Sequence, residues 1–153
     1  MKSLMAILLI AFASSALADS HKLAVPANPK WQTECGSCHM AYPPQLLTAE
    51  NWRQMMKGLD RHFGANATLD AKENAEILAF LERYAARDQR YSANTLRISD
   101  TAWFQRKHRE VSNSAWSHAK VKNRANCTAC HVTAERGDWS ERSIRMPDGR
   151  HWE

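Results

Sequence analysis

Apolar positions recur with a helical period in only a few stretches of this chain, and polar segments without strong periodicity separate them. The N-terminus differs. An apolar run over residues 4–13 follows Lys2 and leads to Ala16-Leu17-Ala18 ahead of Asp19. The run is shorter than the roughly 20 residues of a spanning helix and lacks a stop-transfer flank, so residues 1–18 read as a secretory signal cleaved after Ala18. Residues 48–64, "TAENWRQMMKGLDRHFG", predict a helix capped at Thr48 and stopped by Gly64, with Met55, Gly58, Leu59 and His62 on one side. A second helix begins at Asp70, where Asp-Ala-Lys-Glu resembles a capping box, and carries an apolar stripe of Ile77, Leu78, Leu81 and Tyr84. "DQRYSANTLRI" reads as a polar connection. After Ser99 or Asp100 as a cap, a short helix places Phe104 and His108 on one face. Residues 118–131 hold no Gly or Pro and predict a continuous helix, whereas Gly137-Asp138 and Pro147-Asp148-Gly149 signal turns near the C-terminus. The expected architecture is mostly α, in two small units at residues 19–94 and 95–153, the second more irregular.

A chain this short has a thin core and packs to a radius of gyration of about 14 Å. Its net charge is +5, near +4 once Lys2 is removed. The excess is modest, with no basic stripe interleaved with aromatics, so nucleic acid is not an expected partner. No segment after the signal is long and apolar enough to span a bilayer.

The chemistry lies in the cysteines. All four fall in two copies of one word, "CGSCH" at 35–39 and "CTACH" at 127–131. Disulfides are the usual fate of exported cysteines, but they require no histidine after each pair. A zinc site closed by two CxxC units also leaves both histidines unexplained, and thiolate zinc modules belong mainly to reducing compartments. A thioredoxin-like motif needs a βαβ context that is missing. The remaining reading is covalent attachment of c-type heme: Cys35 and Cys38 hold one macrocycle, Cys127 and Cys130 another, and His39 and His131 lie under the irons. Heme propionates or acidic protein surfaces are then natural counterparts of the positive charge.

The opposite face of each iron decides between electron carriage and ligand chemistry. His62, at the end of its helical stripe, is the distal candidate for the first iron, with Met55 as the competitor that raises the potential. His108 is the candidate for the second. His118 competes, but on a continuous helix it cannot reach the heme face opposite His131. His21 and His151 lie in tails. Trp139, Ile144 and Met146 are candidates to cover the second heme. If one iron is left open or labile, the protein is instead a small peroxidase-like or gas-binding enzyme.

With these residues placed, the chain resembles the small diheme cytochrome c family of bacterial periplasms. The likeness runs over about residues 31–147, through "ECGSCHMAYPPQLL", "RHFGANATLD", "WFQRKH" and "NCTACH" with the later "ERGDW" and "IRMP". The resemblance implies an N-terminal part like a class I cytochrome c, bis-histidine ligation with His62 and His108 distal, and one-electron transfer from a membrane cytochrome b to a soluble oxygen-binding cytochrome c. The expected protein is a periplasmic carrier, read as a monomer because nothing in the chain signals an obligate dimer.

Overall fold

The structure is a computed structural model, and it describes Leu23 and residues 26–152. The signal segment and His21 lie outside the described residues. Among the described residues, five α-helices, α1 Pro29–Gly36, α2 Ala49–Lys57, α3 Ala71–Tyr84, α4 Ala102–Lys107 and α5 Asn113–Trp116, are joined by loops and single 3-10 turns. Among the described residues there are no strands, only isolated bridges, and no helix is long and apolar enough to cross a membrane.

Local chemistry sets the helix starts. The Asn28 side chain accepts from Trp31 N–H, and Pro29 stands at the first helical position, where its missing N–H costs nothing. Thr48 caps α2 through Asn51 N–H, and the Asp70 carboxylate takes Lys72 and Glu73 N–H at 2.9 and 3.0 Å. Both caps fall where the sequence places them. The cap of α4 does not: Thr101, rather than Ser99 or Asp100, accepts from Phe104 N–H. Its hydroxyl also donates to Ile98 O, so the fully buried Thr101 closes the preceding turn and opens the helix with one group.

Two expected helices are cut short. α2 ends at Lys57, not at Gly64, with Gly58 N–H closing on Met55 O. Glycine costs about 1 kcal/mol in a helix interior, and here it falls at the end of the helix instead. A 3-10 turn at Leu59–Arg61 follows, and His62 then starts a tight turn in which Phe63 and Gly64 both have positive φ, 51° and 100°. Ala65 N–H closes that turn on His62 O at 3.0 Å, the pattern of a type I′ turn. The second loss is the helix over 118–131. α5 stops at Trp116, and Lys122 turns the chain with φ 62°. Asn123 accepts from Ala125 N–H and Asn126 donates to Lys120 O, side-chain bonds that compete with a helical ladder.

The core belongs to the first half. Trp31, Leu47, Trp52, Met55, Met56, Ile77 and Leu81 form one cluster between α1, α2 and α3. Ile77 and Leu81, from the expected stripe, are essentially inaccessible, and burial of each contributes about 1.5–3 kcal/mol. The polar connection after α3 is irregular, as its sequence indicates, yet it is pinned. Asn51, 4% exposed, donates to Ala93 O at 3.1 Å and accepts Ala93 N–H at 3.0 Å. Leu96 and Ile98 then pack on the same core. Replacing Asn51 by alanine strands both buried backbone groups of Ala93. Denaturant unfolding of the Asn51→Ala protein is expected to show a loss of about 2–4 kcal/mol, with the visible spectrum unchanged.

Candidate heme sites

Each cysteine word sits on a tight turn. Cys35 occupies the last turn of α1, with Cys38 just beyond its end. Cys127–Ala129 is a 3-10 turn closed by Cys130 N–H on Cys127 O, and such a turn aligns residues three apart. That puts both thiols of the second word on one side. The four cysteines form no disulfide, and among the described residues no group of three or more His, Cys, Asp or Glu gathers to hold a metal. Burial pushes the Cys35 and Cys127 thiols up to about 11, so the bare thiols stay protonated at neutral pH and are weak metal ligands.

The histidines pair across the fold. His39, after the first word, faces His62 with ring centroids 6.1 Å apart and planes at 30°. His131, after the second word, faces His108 at 6.0 Å and 74°. Two metal–nitrogen bonds of about 2 Å plus two half-rings span about 6 Å, so each gap matches one ion held between two imidazoles. His39 Nδ1 lies 2.7 Å from Met40 O, and His108 Nδ1 lies 2.9 Å from Phe104 O. Donation to those carbonyls fixes the tautomer and leaves Nε2 as the lone-pair nitrogen. Met55 is part of the packed core. His118 instead accepts Lys120 N–H within its own loop at 3.2 Å. The continuous helix that argued against His118 is absent, so His108 is favoured by its position opposite His131 and not by that argument.

At His62, His108 and His131 the surroundings favour the neutral imidazole, the form that ligates. Burial, followed by the neighbouring His108, lowers His131 to about 4. Burial also lowers His108, with Arg124 adding to the effect against the Phe104 carbonyl, and it lowers His62 with help from His39 and Arg97. Arg97 lies over the Phe63 ring at 4.2 Å, and Arg124 over Trp116 at 5.0 Å. Between residues 102 and 124 the sequence holds six cations, Arg106, Lys107, Arg109, Lys120, Lys122 and Arg124, and one carboxylate, Glu110. This local excess suits the propionates of a bound heme.

Other side chains fit a large flat group. Phe63 and Val132, 45% and 49% exposed, are large apolar residues that each follow one of the paired histidines. His62 Nδ1, His131 Nδ1 and Trp139 Nε1 are buried without a protein partner. Trp139, expected near the second heme, lies 5.2 Å from His131. Ile144 and Met146 are half-buried in the same C-terminal segment. Sequence reasoning assigned no role to Phe63, Trp116 or Tyr42. Tyr42 stacks on His39 at 4.6 Å and 21°, and the available signal was an aromatic three residues after a ligand candidate.

Two thioether words and two facing histidine pairs on a helical scaffold define a c-type cytochrome of two hemes. The family model described as "Dihaem cytochrome c" matches residues 31–139, and the chain belongs to that family. The diheme cytochrome type c of Shewanella baltica OS155, sb-DHC, is 38% identical at a TM-score of 0.74, covering 84% of this chain and all of that one. DHC purified from Rhodobacter sphaeroides is 44% identical at a TM-score of 0.65, over 74% of this chain and 98% of that one. A second structure, of the diheme cytochrome c from Rhodobacter sphaeroides, is 41% identical at a TM-score of 0.66, over 74% and 97%. No curated protein matches significantly. The mostly helical fold and the two heme c groups follow from this membership, and the protein is an electron-transfer cytochrome.

If each word anchors one macrocycle, the Cys127→Ala/Cys130→Ala protein is expected to give one heme per chain in a pyridine hemochrome assay, against two for the parent.

Proposed function

We propose that this protein is a periplasmic carrier of single electrons at low potential, with each iron bound by two histidines: His39 and His62 in the first unit, His131 and His108 in the second. The observation that carries the reading is the pair of imidazole gaps, 6.1 and 6.0 Å, each with one ring already oriented by a backbone carbonyl. Heme supplies one-electron iron chemistry, and the residues decide what else reaches the metal. With an imidazole on both sides, peroxide, dioxygen and other ligands are excluded unless a histidine leaves. Histidine in place of methionine favours the ferric state and lowers the potential. The carbonyl bonds hold His39 and His108 in one orientation, which keeps the change on redox cycling small.

Residues 1–18, read as a secretory signal, support export. The proposed units are 19–94 and 95–153, acting as a monomer between a membrane cytochrome b donor and a soluble acceptor such as an oxygen-binding cytochrome c. The concentration of the apolar core in the first half supports that division. The resemblance to the family, together with exposed cations near the second histidine pair, supports protein redox partners.

A carbon monoxide difference spectrum of the reduced protein tests the ligation. The parent is expected to be silent, while His62→Ala and His108→Ala should each open one heme to carbon monoxide. A response in the parent would instead favour an enzyme with a labile site. Redox titration of His108→Met is expected to show one heme moved to higher potential and the other little changed.

A further inference from the structure

Tyr42 touches both sites. Its ring stacks on the His39 imidazole at 4.6 Å, nearly parallel at 21°. Its hydroxyl donates at 2.7 Å to Ala125 O, which lies 83 residues further along the chain. The same carbonyl accepts Cys127 N–H at 2.9 Å, and Cys127 Sγ lies 3.5 Å from it. A continuous contact therefore runs from the proposed axial ligand of one iron to the cysteine that tethers the other heme. Through the phenol it uses one ring stack and one short hydrogen bond. A second bond from the Ala125 carbonyl to Cys127 N–H replaces the longer covalent route through Asn126.

Packing alone does not require the hydroxyl. The Tyr42 ring already lies against the first core cluster. Ala125 O keeps its bond from Cys127 N–H whether or not the phenol is present. What the hydroxyl adds is a direct link between the segments that carry the two words.

We propose that Tyr42 couples the two heme sites electronically and fixes the spacing between them. This rests on the carrier reading above, with His39 as an axial ligand. One electron passes at a time: one iron goes from ferrous to ferric as the other goes from ferric to ferrous. Tyr42 is neither oxidised nor deprotonated. Burial raises its phenol above the ordinary value, so it remains a hydrogen-bond donor at neutral pH.

The test uses the full diheme protein with Tyr42→Phe, which keeps the ring and removes the hydroxyl. Exchange between the hemes is followed after pulse-radiolytic reduction, beside a redox titration and the visible spectrum. Tyr84→Phe serves as a control, since the Tyr84 ring meets the tilted Phe80 ring within α3 and neither histidine pair. The expected result is exchange slowed several-fold in Tyr42→Phe and unchanged in Tyr84→Phe, with both potentials and both low-spin spectra preserved. An unchanged rate overturns the proposal, as does a slower rate accounted for by an altered gap between the two potentials. Failure of the carrier reading would show separately, as a five-coordinate or carbon monoxide-binding heme in the parent.

Discussion

The structure depends on two imidazole pairs from distant segments, their ring centroids held about 6 Å apart, the span of two metal–nitrogen bonds and two half-rings. Each pair is separated by 23 residues, but in opposite order. In the first, the word histidine His39 precedes His62; in the second, His108 precedes the word histidine His131. The two histidine pairs are therefore not built from copies of one module. The first presents its second histidine on a strained tight turn after α2, and the second presents it at the C-terminal end of α4. Different local structures meet the same metrical requirement.

That requirement bears unequally on the two halves. The first has a protein core of its own, in which aromatic and aliphatic residues from α1, α2 and α3 meet. The described buried apolar residues of the second half are few: Phe104, Val121, Ala134 and Pro147. Its helices are four and six residues long, too short to be stable in isolation. Trp116 and Trp139 lie around the second histidine pair and not in a cluster of their own. A macrocycle placed there serves as the missing core, and the ordering entropy of the loops is offset by contacts with the cofactor. In the first half, the cofactor adds to a structure that already packs.

This difference explains what the sequence made legible. The words, the caps at Thr48 and Asp70 and the stripe of Ile77 and Leu81 are local signals, and each has its expected place. The ends of α2 and α5 are not local in that sense. Gly58 was read as an interior residue of the stripe, but the helix ends there and the chain goes on to a turn through Phe63 and Gly64. Over 118–131, helix propensity lost to the side-chain bonds of Asn123 and Asn126 with nearby backbone groups. Thr101 was passed over because adjacent Ser99 and Asp100 are equally good caps by residue type. Tyr42 was invisible for a different reason: its partner is a backbone carbonyl, which leaves no signature in a distant residue.

The hydrogen bonds on the far side of each ring add a distinction that the ligand set alone does not contain. In each pair, one imidazole is tied by Nδ1 to a carbonyl: His39 to Met40 and His108 to Phe104. The other, His62 or His131, has a buried Nδ1 without a protein partner. A carbonyl acceptor draws the N–H proton outward and makes the opposite nitrogen a stronger donor, which favours ferric iron. In the proposed ligation, the strengthened ligand is the word histidine in the first unit and the distal histidine in the second. The tie in the second unit is local to α4, because His108 also donates its backbone N–H to Phe104 O and stacks on the Phe104 ring at 3.9 Å. Phe104 is itself buried, and Thr101 caps its N–H, so in that ligation the start of a six-residue helix would set the electron density His108 offers to the iron. The first unit instead relies on Met40, a buried residue adjacent to its ligand in the chain. In the proposed ligation, two hemes with the same nominal ligands would thus sit in frames of different construction, a physical ground on which their potentials would differ.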